Sequence, residues 1–136
     1  MNRSILIGYQ LLIGLSDTMT GALLIVAPAF TLRLMRLQAS ADALPFLSFI
    51  GAFVLSIGLA CLYGALVTIR RGTPSKVEVV WLLTAITRAS VAIFVGEQIL
   101  THELEAGWLS VTVSDGACVL IQAIGLRKGW LANVAR

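Results

Sequence analysis

The sequence predicts an all-α membrane protein, a four-transmembrane-helix antiparallel bundle. Of its 136 residues, 58% are hydrophobic and only 12% are charged, whereas about 25% of the residues in a soluble domain are charged. Four apolar segments each have the roughly 20 residues that cross the hydrocarbon core of a bilayer. These segments are residues 4–30, 46–69, 77–100 and 107–126. None shows the alternating segments of about 10 residues that build a membrane barrel, so we expect one integral membrane domain of helices over residues 1–136.

The first segment follows Arg3 and carries Asp17 in its interior. A basic residue before an apolar run is also typical of a secretory signal, but this run is longer than the apolar region of a signal, so we expect a retained helix.

Beyond Pro28, Arg33 and Arg36 alternate with apolar residues. We predict that the first helix continues past Pro28 and that its arginines extend to the headgroups. The alternative is a separate interfacial amphipathic helix or a partner-docking segment.

Small residues predict where the helices pack closely. In the first and second segments, pairs of glycines recur at a spacing of seven residues: Gly14 with Gly21, and Gly51 with Gly58. The third segment has a stripe of small residues at helical spacing: Ala85, Ala89, Ala92 and Gly96. Helix packing explains these residues without a ligand.

The connections between the later segments are short. Residues 71–75 contain Gly72 and Pro74, which break a helix and predict a tight antiparallel hairpin. Residues 101–106 join the third and fourth segments and contain His102 and two glutamates. We interpret this acidic loop as solvated. We predict no metal site there, since the loop has a single histidine to act as a metal ligand beside the carboxylates.

Charge distribution predicts the orientation of the chain in the membrane. One side holds seven basic residues, and the other holds two, Arg33 and Arg36, with Asp42, Glu103 and Glu105. The seven are Arg3, Arg70, Arg71, Lys76, Arg127, Lys128 and Arg136. Basic residues concentrate on the cytoplasmic side of membrane proteins, so we expect a multi-pass protein of the bacterial inner membrane with both termini in the cytoplasm.

Three charged residues lie inside the apolar segments: Asp17, Arg88 and Asp115. A charge at the centre of a bilayer is unfavourable by about 3 kcal/mol or more. From the helical rise, all three lie about 15 to 18 Å from the cytoplasmic ends of their segments. Because their depths coincide, we predict that they form a buried Asp-Arg-Asp cluster.

The cluster has two interpretations. In the first, it is an inert clamp that fixes the rotation and order of the helices. In the second, Arg88 neutralises one acid and the other binds a proton, a cation or the polar head of a ligand. Gln10 and Gln122 could extend the cluster as a polar track or simply bond across helices, and Glu97 is a further polar candidate in the acidic patch towards the outside. Hydroxyl partners near the cluster are Thr18, Thr87, Ser90, Thr112 and Ser114.

With these residues in view, the chain resembles the DoxX-like superfamily of small four-helix bacterial membrane proteins. The resemblance rests on the glycine-containing first segment that ends near Pro28, the run of residues 51–59, Arg88 in the third segment and Asp115 in the fourth. It covers nearly the whole chain and implies mainly the four-helix fold. Members with an assigned role include a subunit associated with thiosulfate:quinone oxidoreduction.

These observations lead to three functional hypotheses. The first is a non-catalytic subunit or scaffold of an inner-membrane assembly, one that handles electrons or quinones. The second is a proton-coupled small transporter, or a protein that binds a lipophile or quinone at the charged cluster. The third is an enzyme that acts on a quinone or lipid near the cluster, and it ranks last because it would need a redox centre from another chain. We expect no intrinsic cofactor, a bound quinone or lipid as the candidate ligand, and lipids and other membrane subunits rather than nucleic acid as partners.

Overall fold

In a computed structural model, which describes residues 1–134, the chain is helical and contains no strand. Its α-helices are α1 (Arg3–Val26), α2 (Pro28–Leu34), α3 (Leu44–Ile69), α4 (Pro74–Leu100) and α5 (Leu109–Arg127). Short 3₁₀ turns cover Ala41–Ala43, Ala106–Trp108 and Trp130–Val134. Arg136, one of the seven basic residues of the predicted cytoplasmic side, lies outside the described residues.

Four of these helices are long and apolar enough to cross a membrane. They contain 24 (α1), 26 (α3), 27 (α4) and 19 (α5) residues, which corresponds to lengths of about 28 to 40 Å. Each exposes large apolar side chains, such as Leu12, Phe46, Ile93 and Leu120 at 64–70% exposure. Such surfaces are stable against lipid and not against water. The chain is therefore a membrane protein, and the predicted all-α class with four spanning helices is confirmed.

The sequence explains where most helices begin and end. Pro28 and Pro74 occupy first-turn positions of α2 and α4, where the missing N–H of proline removes no hydrogen bond. The helices α2, α3 and α4 are each followed by a residue with positive φ: Arg36 at 58°, Arg71 at 52° and His102 at 63°. After each, the backbone closes back on its helix, as in Leu37 N donating to Leu32 O at 2.8 Å. These are Schellman motifs, which satisfy the last carbonyls of a helix.

The predicted continuation of the first helix past Pro28 is wrong. The structure ends α1 at Val26 and begins the separate helix α2 at Pro28, with Ala27 outside the helical region at φ −148° and ψ 61°. The cause is the proline ring, which disfavours helical backbone at the preceding residue. The two parts stay linked, because the N–H and hydroxyl of Thr31 both donate to Ala27 O.

The chain divides into two compact units, and the first comprises Ser4–Leu66. Within it, α1 and α3 run antiparallel in close contact. An added Cβ at Gly14 would lie 2.8 Å from Leu62 Cδ2, and one at Gly21 would lie 2.7 Å from Leu55 Cα. Further along α3, a Cβ at Gly58 would meet the backbone of Thr18. The prediction that these glycines permit close helix packing is confirmed.

The second unit comprises Met1–Arg3 and Val67–Arg136, in which α4 and α5 run antiparallel. Arg3 contributes to this unit by donating from Nε to Thr68 O at 3.2 Å and from Nη2 to Ile69 O at 2.7 Å. A basic side chain at these positions bonds the unsatisfied carbonyls at the end of a helix, α3 here. Arg3 therefore has a structural role that the charge count did not reveal.

Candidate functional site

An ion pair joins the two helices of the second unit. Arg88 on α4 lies 2.5 Å through Nη1 from Oδ1 of Asp115 on α5. The exposures of the two side chains are 7% and 15%. Both residues lie within apolar helices that can span a membrane, where an unpaired charge is strongly disfavoured. Each charge therefore stabilises the other within the membrane-spanning part of its helix, where water does not solvate a charge.

Two further contacts continue along the same faces of α4 and α5. Gln122 Nε2 donates to Thr84 Oγ1 at 2.9 Å, and the Thr84 hydroxyl donates to Val80 O at 2.8 Å. The indole of Trp81 and the ring of Trp130 cover Gly125 so closely that a Cβ there would lie 3.2 Å from Trp81 Cη2. The interface consequently has three layers, pairing Trp81 with Gly125, Thr84 with Gln122, and Arg88 with Asp115.

Two buried oxygens at this interface have no hydrogen-bond partner within residues 1–134. They are Oε1 of Gln122, a residue with 1% exposure, and Oγ1 of Thr112. Thr112 lies three residues before Asp115 and Gln122 lies seven after it, so both are on the same side of α5 as the acid. Chemically, the Gln122 oxygen can accept a hydrogen bond, and the Thr112 hydroxyl can accept or donate one.

Of the predicted cluster, the structure brings Arg88 and Asp115 together. Asp17 lies on α1 in the other unit, with a half-buried side chain. Its participation in the cluster stays a prediction. Gln10, also on α1, is buried at 1% exposure, and its Nε2 donates to Leu6 O at 3.4 Å.

Other polar residues suggested by the sequence bond within their own helices. Glu97 is exposed in the last turn of α4, and its carbonyl accepts from the N–H of Thr101 at 2.9 Å. The hydroxyls of Thr87, Ser90 and Ser114 are exposed, and each donates to a carbonyl three or four residues earlier. None of these three hydroxyls donates to the ion pair.

Thr84 and Trp81 were not predicted to be parts of this interface. A signal was present, since Trp81, Thr84 and Arg88 follow a spacing of three and four residues that places them on one face of a helix. On α5, Asp115 and Gln122 are seven residues apart and also share a face. A comparison of the two helix faces would have paired the hydroxyl of Thr84 with the side-chain amide of Gln122.

A metal centre has no support from the described part of the chain, in which no group of three or more His, Cys, Asp or Glu residues could hold a metal ion. The site within α4 and α5 thus consists of one ion pair, one amide–hydroxyl contact and two unpartnered oxygens.

No known family model, curated protein or solved structure matches this chain. The resemblance to the DoxX-like superfamily therefore stays a prediction.

Proposed function

We propose that this chain is a non-catalytic subunit or scaffold of an assembly in the bacterial inner membrane. The observation that carries the proposal is a contrast between two groups of glycines. Gly14, Gly21 and Gly58 are needed by the chain itself, because a Cβ at each would clash with a neighbouring helix. At Gly8 and Gly116, a Cβ would meet nothing within 4 Å.

Gly8 and Gly116 lie in the interior of α1 and α5, where glycine is about 1 kcal/mol less favourable than alanine. Contacts within the described chain do not offset that cost. In membranes, small residues let the backbone of another helix approach closely. The two glycines therefore support contact with helices of other subunits.

In this proposal, the ion pair of Arg88 and Asp115 is a clamp that orients α4 against α5. Its charges are paired with each other inside one chain, which leaves the apolar outer surfaces for lipid and partners. A buried ion pair contributes little net stability but can select one helix arrangement over others. We take that selectivity to be its role here.

Two finer proposals follow from the sequence. The distribution of basic residues supports an orientation with both termini in the cytoplasm. The DoxX-like resemblance, with its thiosulfate:quinone-associated member, supports an assembly linked to electron transfer or quinones. Neither proposal requires an intrinsic cofactor in this chain.

The test is native mass spectrometry of the protein gently extracted from the membranes of its own host. We expect complexes with other membrane subunits, and we expect Gly116→Leu to dissociate them, because the added side chain blocks the approach of a partner helix and its Cβ has no atom of the chain within 4 Å. Ala117→Leu, a change of similar size at the exposed neighbouring position, is the control and should retain the complexes. Recovery of the wild type only as a monomer or homodimer would refute the proposal.

A second function is favoured by the unpartnered oxygens of Gln122 and Thr112, which lie on the Asp115 side of α5. They suit a proton-coupled small transporter or a protein that binds a quinone or another lipophile. In that case Asp115→Asn or Asp17→Asn should abolish pH-dependent transport, or binding of a quinone, in reconstituted liposomes while circular dichroism shows an intact helical fold. Normal activity of both variants would rule out this function.

A further inference from the structure

A groove lies in the connection between α1 and α3, outside the interface of α4 and α5. It has a volume of about 360 Å³. Its walls include the apolar side chains of Leu32, Leu37 and Leu44 and two polar ones, Arg33 and Gln38. The groove belongs entirely to the unit of residues 4–66.

The sequence builds this groove through the end of α2. Arg36 adopts a positive φ of 58°, and Leu37 N donates to Leu32 O at 2.8 Å. This Schellman closure reverses the chain and brings together the apolar side chains that flank it. Leu32 and Leu37 are accordingly buried, at 3% and 2% exposure, and they form a fixed apolar floor.

The groove lies at a membrane surface, because the connection joins two antiparallel helices that each can span the bilayer. Exposed apolar side chains occur in the same part of the chain as the groove: Phe30 is 46% exposed, Leu34 61% and Phe46 70%. Apolar side chains combined with arginines are typical of segments that lie among lipid headgroups.

The charge of the connection favours an anionic ligand. Arg33 and Arg36 are both exposed, and within residues 1–134 neither guanidinium has a hydrogen bond or an ion pair. Asp42 is the single acid between residues 27 and 43, so the connection keeps one net positive charge. Guanidinium groups bond phosphate through two parallel N–H donors.

From these observations we propose that the groove binds the headgroup of an anionic phospholipid. Arg33 donates to the phosphate, Gln38 bonds a headgroup hydroxyl, and the leucine floor contacts the glycerol backbone. The volume is near the lower end of the roughly 300 to 1,000 Å³ of ligand pockets. It therefore suits a headgroup and glycerol, while the acyl chains remain in the bilayer.

The experiment measures lipid binding to the full chain in detergent by native mass spectrometry, with phosphatidylglycerol and phosphatidylcholine titrated separately. We expect preferential retention of phosphatidylglycerol. Arg33→Gln should weaken that binding about fivefold, which corresponds to about 1 kcal/mol for one basic residue near a membrane surface. Arg127→Gln makes the same change of charge at the exposed end of α5 and should bind as the wild type does.

A second variant tests the groove rather than the charge. Ala39→Trp keeps every charge but fills the space, since Ala39 is an exposed wall residue, and it should reduce phosphatidylglycerol binding at least as much as Arg33→Gln. The proposal would be overturned if the two lipids bound equally well. It would also be overturned if Arg33→Gln and Arg127→Gln had equal effects, or if Ala39→Trp left phosphatidylglycerol binding unchanged. Displacement of the lipid by an equal concentration of inorganic phosphate would also overturn it, because a free anion would then be the ligand.

Discussion

At the scale of single residues, Arg88 and Asp115 show why a charge inside a membrane-spanning helix requires an oppositely charged partner. Each carries a charge into the apolar central part of its helix, and each side chain is at most 15% exposed. Removing a charged group from water is unfavourable by several kcal/mol unless an opposite charge and hydrogen bonds replace the water. Direct contact between the two side chains is the arrangement that meets this requirement.

We therefore predict that Arg88→Gln and Asp115→Asn each destabilise the fold by about 3 to 5 kcal/mol, because each leaves an uncompensated buried charge. The measurement is denaturant unfolding in detergent followed by circular dichroism. The exchanged pair, Arg88→Asp with Asp115→Arg, should recover part of the loss, whereas Asp42→Asn in the exposed connection should have little effect. Strictly additive effects in the double-mutant cycle would show that the two residues are not coupled.

A second prediction concerns the amide–hydroxyl contact. Thr84→Val keeps the shape of the side chain but removes the oxygen that accepts from Gln122 Nε2. Leaving a buried donor unsatisfied is expected to destabilise the fold by about 1 to 3 kcal/mol. Thr87→Val is the matched control, because its exposed hydroxyl bonds only Leu83 O of its own helix. In the same unfolding assay, equal stability of the two variants would contradict the proposed role of Thr84.

The sequence allowed part of this site to be predicted. Depth in the membrane follows from counting residues along a helix, which placed Arg88 and Asp115 at the same level, and the structure joins them. Depth says nothing about which way a helix is rotated. Thr84 and Trp81 were missed because the prediction used depth and not the helical spacing that places both on the Arg88 face of α4.

At the scale of helices, the sequence predicted the ends of α3, α4 and α5 to within three residues of their observed positions. These helix ends are marked by helix-breaking residues, such as Gly72 and Pro74, which act on the backbone near their own positions. The end of the first span was misplaced. Its apolar run continues beyond Pro28, so composition favoured one long helix, whereas backbone sterics at Ala27 end α1 and begin a separate helix.

The close approach of α1 to α3 gives a prediction at this scale. Gly58→Ala places a methyl group 2.5 Å from Thr18 Oγ1 and closer still to the Thr18 backbone, so the helices must separate. We expect a loss of about 1 to 3 kcal/mol, as for other overpacked positions. Gly116→Ala puts the same methyl group into open space and should be neutral or slightly stabilising, since alanine is the better helix former. Thermal unfolding in detergent separates the two outcomes, and equal loss by both would argue against tight α1–α3 packing.

At the scale of the whole molecule, composition and segment length were sufficient to predict an all-α protein with four spanning helices. The helical class and the long, uninterrupted spans both follow from a single requirement, that every backbone group within a bilayer forms its hydrogen bond internally. The short connections also predicted the antiparallel course of α4 and α5. No such general requirement selects a partner or a ligand, which is why the functional hypotheses rest on individual residues such as Gly116 and Gln122.

The orientation of the molecule in its membrane is the last prediction. In the proposed topology, both termini and the connection of residues 70–76 lie in the cytoplasm, and α2 with its arginines lies on the opposite side. Basic residues are retained on the cytoplasmic side during insertion, and the proposed cytoplasmic side holds seven of them against two. The test is labelling of single cysteines by a membrane-impermeant maleimide in intact cells, in a background where Cys61 and Cys118 are replaced by alanine. A cysteine at Ser40 should react in intact cells, and one at Ser75 should react only after the membrane is permeabilised; the reverse pattern would invert the topology and place the groove in the cytoplasmic leaflet.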